Sequence, residues 1–302
     1  MNGVSSMLEA YGDRNYKSDS NSESGVLGVL DKVAADKTIE TNRGESEITY
    51  GEANKLAGDY KGTPAELANE ADADSMGMLD QAMMVMLASS NINHFYPLNH
   101  AEYRNHHQKA VNLARASYNA KNEEERERLR RGAMLEEGFA AHFLQDCFAA
   151  GHMAPRALDP VEETSLIMRL FGGKRTKDWH DKLNEQTEGL PTTEGRFRGD
   201  NTMSGADLAH IGALTGESLR EVKETLANGV AAPANISLPK PDLGAIRSDP
   251  VYGPIWAGML GDYEDDLLEM EAVDPNHEYV TDGETSSSDV VGDIRKDVYG
   301  GK

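Results

Sequence analysis

The stretch NEEERERLRRGAMLEEGFAAHFLQDCFAA, residues 122–150, decides the fold class. Its first third is charged and its last two thirds are apolar, and nothing in it interrupts a helical period. The charge run reads as the solvated face of a helix. Outward from it the same texture repeats. A helix is expected from about Ala101 to Tyr118, and another over 204–228, where Leu208, Ile211, Leu214, Leu219, Val222 and Leu226 fall at helical spacing. Upstream, EITYGEANKLAGDY opens with a threonine suited to capping, and SMGMLDQAMMVMLASS (75–90) carries a stripe of methionines that reads as core filler. Strand signals of period two are scarce and no internal repeat is visible. The expectation is an all-α, multi-helix domain with irregular loops.

Around this helical part the composition shifts. Residues 1–45 mix Ser, Asn, Asp and Gly and read as a loosely ordered arm, followed by a helical domain over 46–228. Residues 229–271 read as an irregular Pro-rich extension with a short helix. From Gly261 to Lys302 there are thirteen acidic and three basic residues, and 272–302 reads as a disordered acidic tail.

The chain of 302 residues carries 30 Lys plus Arg against 52 Asp plus Glu, a net charge of −22. That balance argues against a broad electrostatic footprint on nucleic acid or an anionic bilayer, so no nucleic-acid partner is expected. No segment is apolar enough to cross a membrane. The single cysteine, Cys147, excludes an internal disulfide framework, and no Sec-type leader is visible, so synthesis and folding in a reducing cytosol are expected, with any export left to a specialised route.

Chemistry concentrates in AAHFLQDCFAAGHMAPR (140–156). His142 and Asp146 stand four apart on a helical run, on one face and about 6 Å apart at Cβ. Gly151 can end that helix and turn His152 back toward the same cavity. An H-x3-D-x5-H segment in apolar sequence is costly to bury unless each polar group has a partner, and zinc accepts imidazole and carboxylate together. The plainer reading makes His142 and Asp146 a helix-surface pair and His152 a helix terminator. Elsewhere, His94 sits among Phe95, Tyr96 and Pro97, Asp59 follows an apolar helix end, and DWHDKLNEQ supplies His180 with Asp181, Asn184 and Glu185. His100, His106, His107, His210 and His277 read as structural or exposed.

The ordered set GDY, NHFYPLN, HFLQDCFAAGH and WHDKLNE resembles the bacterial zinc-dependent phospholipase C family, an all-helical fold related to the fungal single-strand nucleases. The resemblance covers about residues 48–228 and implies a zinc-dependent phosphodiester hydrolase acting in lipid degradation. It implies one zinc held by Asp59, His94, His142 and Asp146, and a second held by His152, His180 and a third ligand near 184. Asp59 and Asp146 would be catalytic, with Asp59 orienting the attacking water. FAAGH followed by PR makes Arg156 a candidate phosphate contact, because a guanidinium fork matches phosphate oxygens.

Two departures stand out. The chain begins with Met and has no His before His94, so the family's third metal site is expected to be absent or rebuilt. Where the family has H-x3-E, this chain has His180 and Asn184, which leaves the Asn184 oxygen, Asp181 or Glu185 for the second site. The resemblance implies a glycerophospholipid substrate, cleaved to diacylglycerol and a phosphorylated head group, and a transient contact with a membrane surface. A nuclease or small phosphodiesterase on the same scaffold, and a non-catalytic helical protein with a structural zinc, are the alternatives.

Overall fold

The computed structural model describes residues 38–40, 47–57, 64–68, 92–153, 179–199 and 202–260. The segment 1–37, the methionine-rich stretch 75–90, and the acidic tail 272–302 lie outside the described residues, as do Asp59 and Arg156.

What is described is mostly helical. Two short strands, β1 (Thr38–Glu40) and β2 (Glu47–Thr49), form an antiparallel pair that leads directly into α1 (Tyr50–Leu56). β1 falls within the stretch read as an arm. α2 (Pro64–Leu67) follows, then a 3-10 turn (Ile92–His94) and the long α3 (Leu98–Tyr118). The decisive stretch forms α4 (Glu123–Asp146), with Cys147 as its C-cap and a single further turn, α5 (Ala150–Met153). Residues 179–184 form a helical segment, α6. A tight antiparallel pair, β3 (Leu190–Thr192) and β4 (Gly195–Phe197), precedes α7 (Gly205–Asn228). The Pro-rich region from 230 runs without helix or strand to α8 (Leu243–Ser248) and α9 (Tyr252–Leu260), apart from a single bridge of Pro241 to Thr192.

The long helices begin and end where their sequences dictate. Asn122 caps α4, its side chain accepting from the Glu125 N–H, and Glu123, Glu124 and Glu125 crowd the positive end of the helix dipole. Ser204 and Asp207 form a reciprocal capping box at α7. Gly229 ends α7 in the left-handed region, at φ 78°, where a Cβ would also meet the ring of Tyr118.

α4 is the axis of the core. It packs most extensively on α3 and then on α7 and α1. From Ala133 onward nearly every residue is buried, whereas Glu123–Glu125 are exposed, which matches the split between charged and apolar sequence. Small residues permit the approach: Ala110 and Ala114 of α3 meet Ala133, and Gly138 faces Ala53 of α1, where a Cβ would lie 3.4 Å from that alanine's own. Burying the apolar half of α4 from all sides places its last turn, with His142 and Asp146, in the interior.

Candidate metal centre

His142 and Asp146 project from the final turn of α4 with no solvent exposure, which removes the reading of an ordinary surface pair. His94 arrives from the 3-10 turn before α3. Its segment is tied down at two points: the Tyr96 N–H donates to the His152 carbonyl at 2.8 Å, and the Asn99 side-chain amide donates to the His94 carbonyl at 3.2 Å. A chain separation of 52 residues is thereby closed, and His94 Nδ1 lies 2.8 Å from Asp146 Oδ2.

Three ligand-type atoms converge. His94 Nδ1 is 3.0 Å from His142 Nε2, and His142 Nε2 is 3.6 Å from Asp146 Oδ2. Two ring nitrogens and a carboxylate oxygen thus form a small triangle in which the facing nitrogens cannot both carry protons. Tetrahedral zinc with bonds of about 2.0–2.1 Å has ligand–ligand edges of about 3.3 Å, so the triangle is close to one face of such a polyhedron. This buried group, His94, His142 and Asp146, could hold a metal ion.

The other oxygen of Asp146 serves the neighbouring residues. His152, on α5, places Nδ1 3.0 Å from Asp146 Oδ1, and its ring centroid lies 4.8 Å from that of His180 on α6. Burial by itself raises the Asp146 pKa, but the imidazoles of His152, His142 and His94 outweigh it and hold the carboxyl well below the usual range. Asp146 is therefore an anion throughout the neutral range. His180 moves the other way: burial, with His152 alongside, lowers it to about 4 against the opposing hydrogen bond to the Asp181 carboxylate, so its imidazole is neutral at pH 7. The Phe95 ring stands edge-on to both His152 and His180, and Phe143 lies against His94 and His142. The polar cluster is thus walled by aromatic carbon.

Of the residues singled out from the sequence, His94, His142, Asp146, His152, His180 and Asn184 are brought together, all of them buried. Asp59 and Arg156 lie outside the described residues. Asp181 meets the cluster at His180, whose Nδ1 is 3.1 Å from Asp181 Oδ1. Asn184 accepts from the Gly151 N–H at 2.7 Å and faces His180 Nε2 with its nitrogen at 2.9 Å.

The sequence reading missed how the segment after β4 closes the site. The Arg198 carbonyl accepts from the Ala150 N–H, Thr202 Oγ1 donates to the Asn184 carbonyl, and Gly199 lies directly against Asn184.

The histidines read as structural sit apart. His100 is buried beside Tyr96, with its pKa lowered to about 3 by burial. His106 and His107 pair with glutamates. His210 stacks on Phe197. His277 lies outside the described residues. No described helix is long and apolar enough to cross a membrane. Comparison of the chain with family models, with curated proteins and with solved structures returns no match.

Proposed function

We propose that this chain is a metal-dependent phosphodiester hydrolase, and specifically a zinc-dependent phospholipase C that cleaves a glycerophospholipid to diacylglycerol and a phosphorylated head group. The observation that carries the reading is the convergence of His94 Nδ1, His142 Nε2 and Asp146 Oδ2 in a buried triangle, with His152 on the remaining carboxylate oxygen. The substrate class comes from the resemblance of NHFYPLN, HFLQDCFAAGH and WHDKLNE to the phospholipase family.

Zinc suits the donor set, because it accepts neutral imidazole and carboxylate in one shell. When bound, it supplies Lewis acidity toward a phosphoryl oxygen and lowers the pKa of a water to a range where hydroxide is accessible at neutral pH. The residues supply the rest. Asp146 stays anionic and uses both oxygens, fixing His94 and His142 on one side and His152 on the other. Phe95 and Phe143 keep bulk water from competing with the reaction. Asp59 and Arg156 retain the roles that the resemblance implies, orienting the attacking water and meeting the phosphate. The charge of −22 favours a zwitterionic head group over a polyanionic strand.

The test joins metal analysis to product detection. Protein grown with zinc and dialysed against metal-free buffer is expected to retain zinc and to release phosphocholine from phosphatidylcholine vesicles. Cleavage of single-stranded DNA in place of lipid would move the reading to a nuclease. Retained zinc without hydrolysis of either would mark a structural site, and a metal-free protein would overturn the proposal.

A further inference from the structure

Asn184 occupies the position at which the resemblance asks for a second metal's ligand, and the contacts of its carboxamide fix which atom points where. The Gly151 N–H is only a donor, so the side-chain atom 2.7 Å from it has to be Oδ1. The other end of the carboxamide is then its NH2, 2.9 Å from His180 Nε2. That nitrogen has no lone pair to offer a cation. It donates to His180, whose Nε2 therefore accepts and whose Nδ1 keeps its proton against Asp181 Oδ1 at 3.1 Å. Turning the amide over would set NH2 against the Gly151 N–H and lose both bonds.

The amide lies against two glycines. A Cβ on Gly151 would lie 2.5–2.7 Å from the Asn184 carboxamide, and one on Gly199 would lie 2.1 Å from the Asn184 Cα and Oδ1. The slot is walled by two glycines. Its backbone is pinned as well, since Thr202 Oγ1 donates to the Asn184 carbonyl at 3.2 Å.

We infer that Asn184 is a positioning residue which joins the first turn of α5 to His180 and selects the tautomer of that ring, and that the His152–His180–Asn184 end of the cluster takes no cation of its own. Among the described residues one metal site then remains, at His94, His142 and Asp146. This rests on the metal reading proposed above, but it concerns how many ions are held and not which ester is cleaved. It also separates the chain from enzymes in which a glutamate at this spacing supplies a charged oxygen.

The experiment counts zinc in the full-length protein by mass spectrometry after dialysis, and reads the His180 tautomer from ring 15N shifts. Wild type is expected to hold one ion per chain, and His180→Ala and Asn184→Ala are expected to hold the same one. Asn184→Asp keeps an acceptor for Gly151 and turns a charged oxygen toward His180, so its count should rise to two. The Nδ1-protonated signature of His180 should be present in wild type and mixed in Asn184→Ala, a change that loss of packing alone would not produce. Two ions in wild type, falling to one in His180→Ala, would overturn the inference and leave the proposed function standing. A folded Asn184→Asp protein that still holds one ion would overturn the role given to the amide. No ion in wild type would overturn both readings. Should Asn184→Asp fail to fold, the counts in wild type and His180→Ala decide alone.

Discussion

Two histidine clusters lie against α4, and their carboxylates set them apart. At the C-terminal end of α4, His94, His142 and His152 all face one carboxylate, Asp146. Midway along α3 the ratio is reversed. His106 sits between Glu136, 2.7 Å from Nδ1, and Glu102, 3.6 Å from Nε2. His107 sits between Glu137 of α4, 2.9 Å from Nδ1, and Glu221 of α7, 3.1 Å from Nε2. An imidazole held between carboxylates of different helices ties those helices together. Burial opposes the charge on His107, yet Glu137 and Glu221 outweigh it and raise its pKa to about 9. Where three imidazoles share a single carboxylate, ring nitrogens face one another instead, as His94 Nδ1 and His142 Nε2 do at 3.0 Å. Two histidines thus make a structural clamp in one place, and three make a candidate metal centre in the other.

The largest expected effect separates the clusters by function. His142→Ala and Asp146→Asn should remove the bound metal and reduce hydrolysis to background, while His106→Ala should retain the metal, as metal analysis and phosphocholine release would show. Loss of metal in all three would erase the distinction.

Stability should respond in the opposite sense. His107→Ala leaves Glu137, which is fully buried, without its cation, at a cost of about 3 kcal/mol, or roughly 6–12 °C in the melting temperature. Its metal content should be unchanged. Calorimetry of wild type and His107→Ala would check the first half of the statement, and metal analysis the second.

The same clamp carries a pH signature. The folded pKa of His107, about 9, lies above the ordinary value of 6.5. Between those values the folded state holds a proton that the unfolded state has released. The contribution is therefore complete below about pH 6.5 and is lost as pH rises through about 9, worth about 3 kcal/mol across the window. Urea unfolding of wild type and His107→Gln should show a stability gap at pH 6 that closes by pH 10. A gap that widened with pH would mean that the ring is neutral when folded.

The smallest effect belongs to His106→Ala. Its ring stacks on Phe143 at 5.7 Å, but Glu136 is half-buried and is rehydrated more cheaply than Glu137. A loss of about 1–2 kcal/mol is expected. A loss exceeding that of His107→Ala would reverse the ranking of the two ion pairs.

Much of the helical frame was legible in the residues. The expected helices at 101–118, 122–150 and 204–228 correspond to α3, to α4 with α5, and to α7, because hydrophobic period and capping chemistry at Asn122, Ser204 and Gly229 are local properties. The short strand pairs were not, since three residues are too few to display a period of two. His142 and Asp146 were legible as a pair because four residues on a helix fix a common face. His152 returns to the site because α4 ends at Cys147; Gly151, expected to end that helix, lies inside the next turn, α5.

What the sequence by itself determined is therefore what lies within a few turns: the helices, their ends, and the pairing of His142 with Asp146. The tertiary structure decided the rest. His94 meets Asp146 across 52 residues, and Asn184 meets Gly151 across 33, through packing of α3 and α6 onto α4 that no local period encodes. It also decided which histidines receive glutamates and which must share one aspartate. The physical reason is that protonation and ligand character belong to a group's neighbours in space, and those neighbours exist only once the helices have packed.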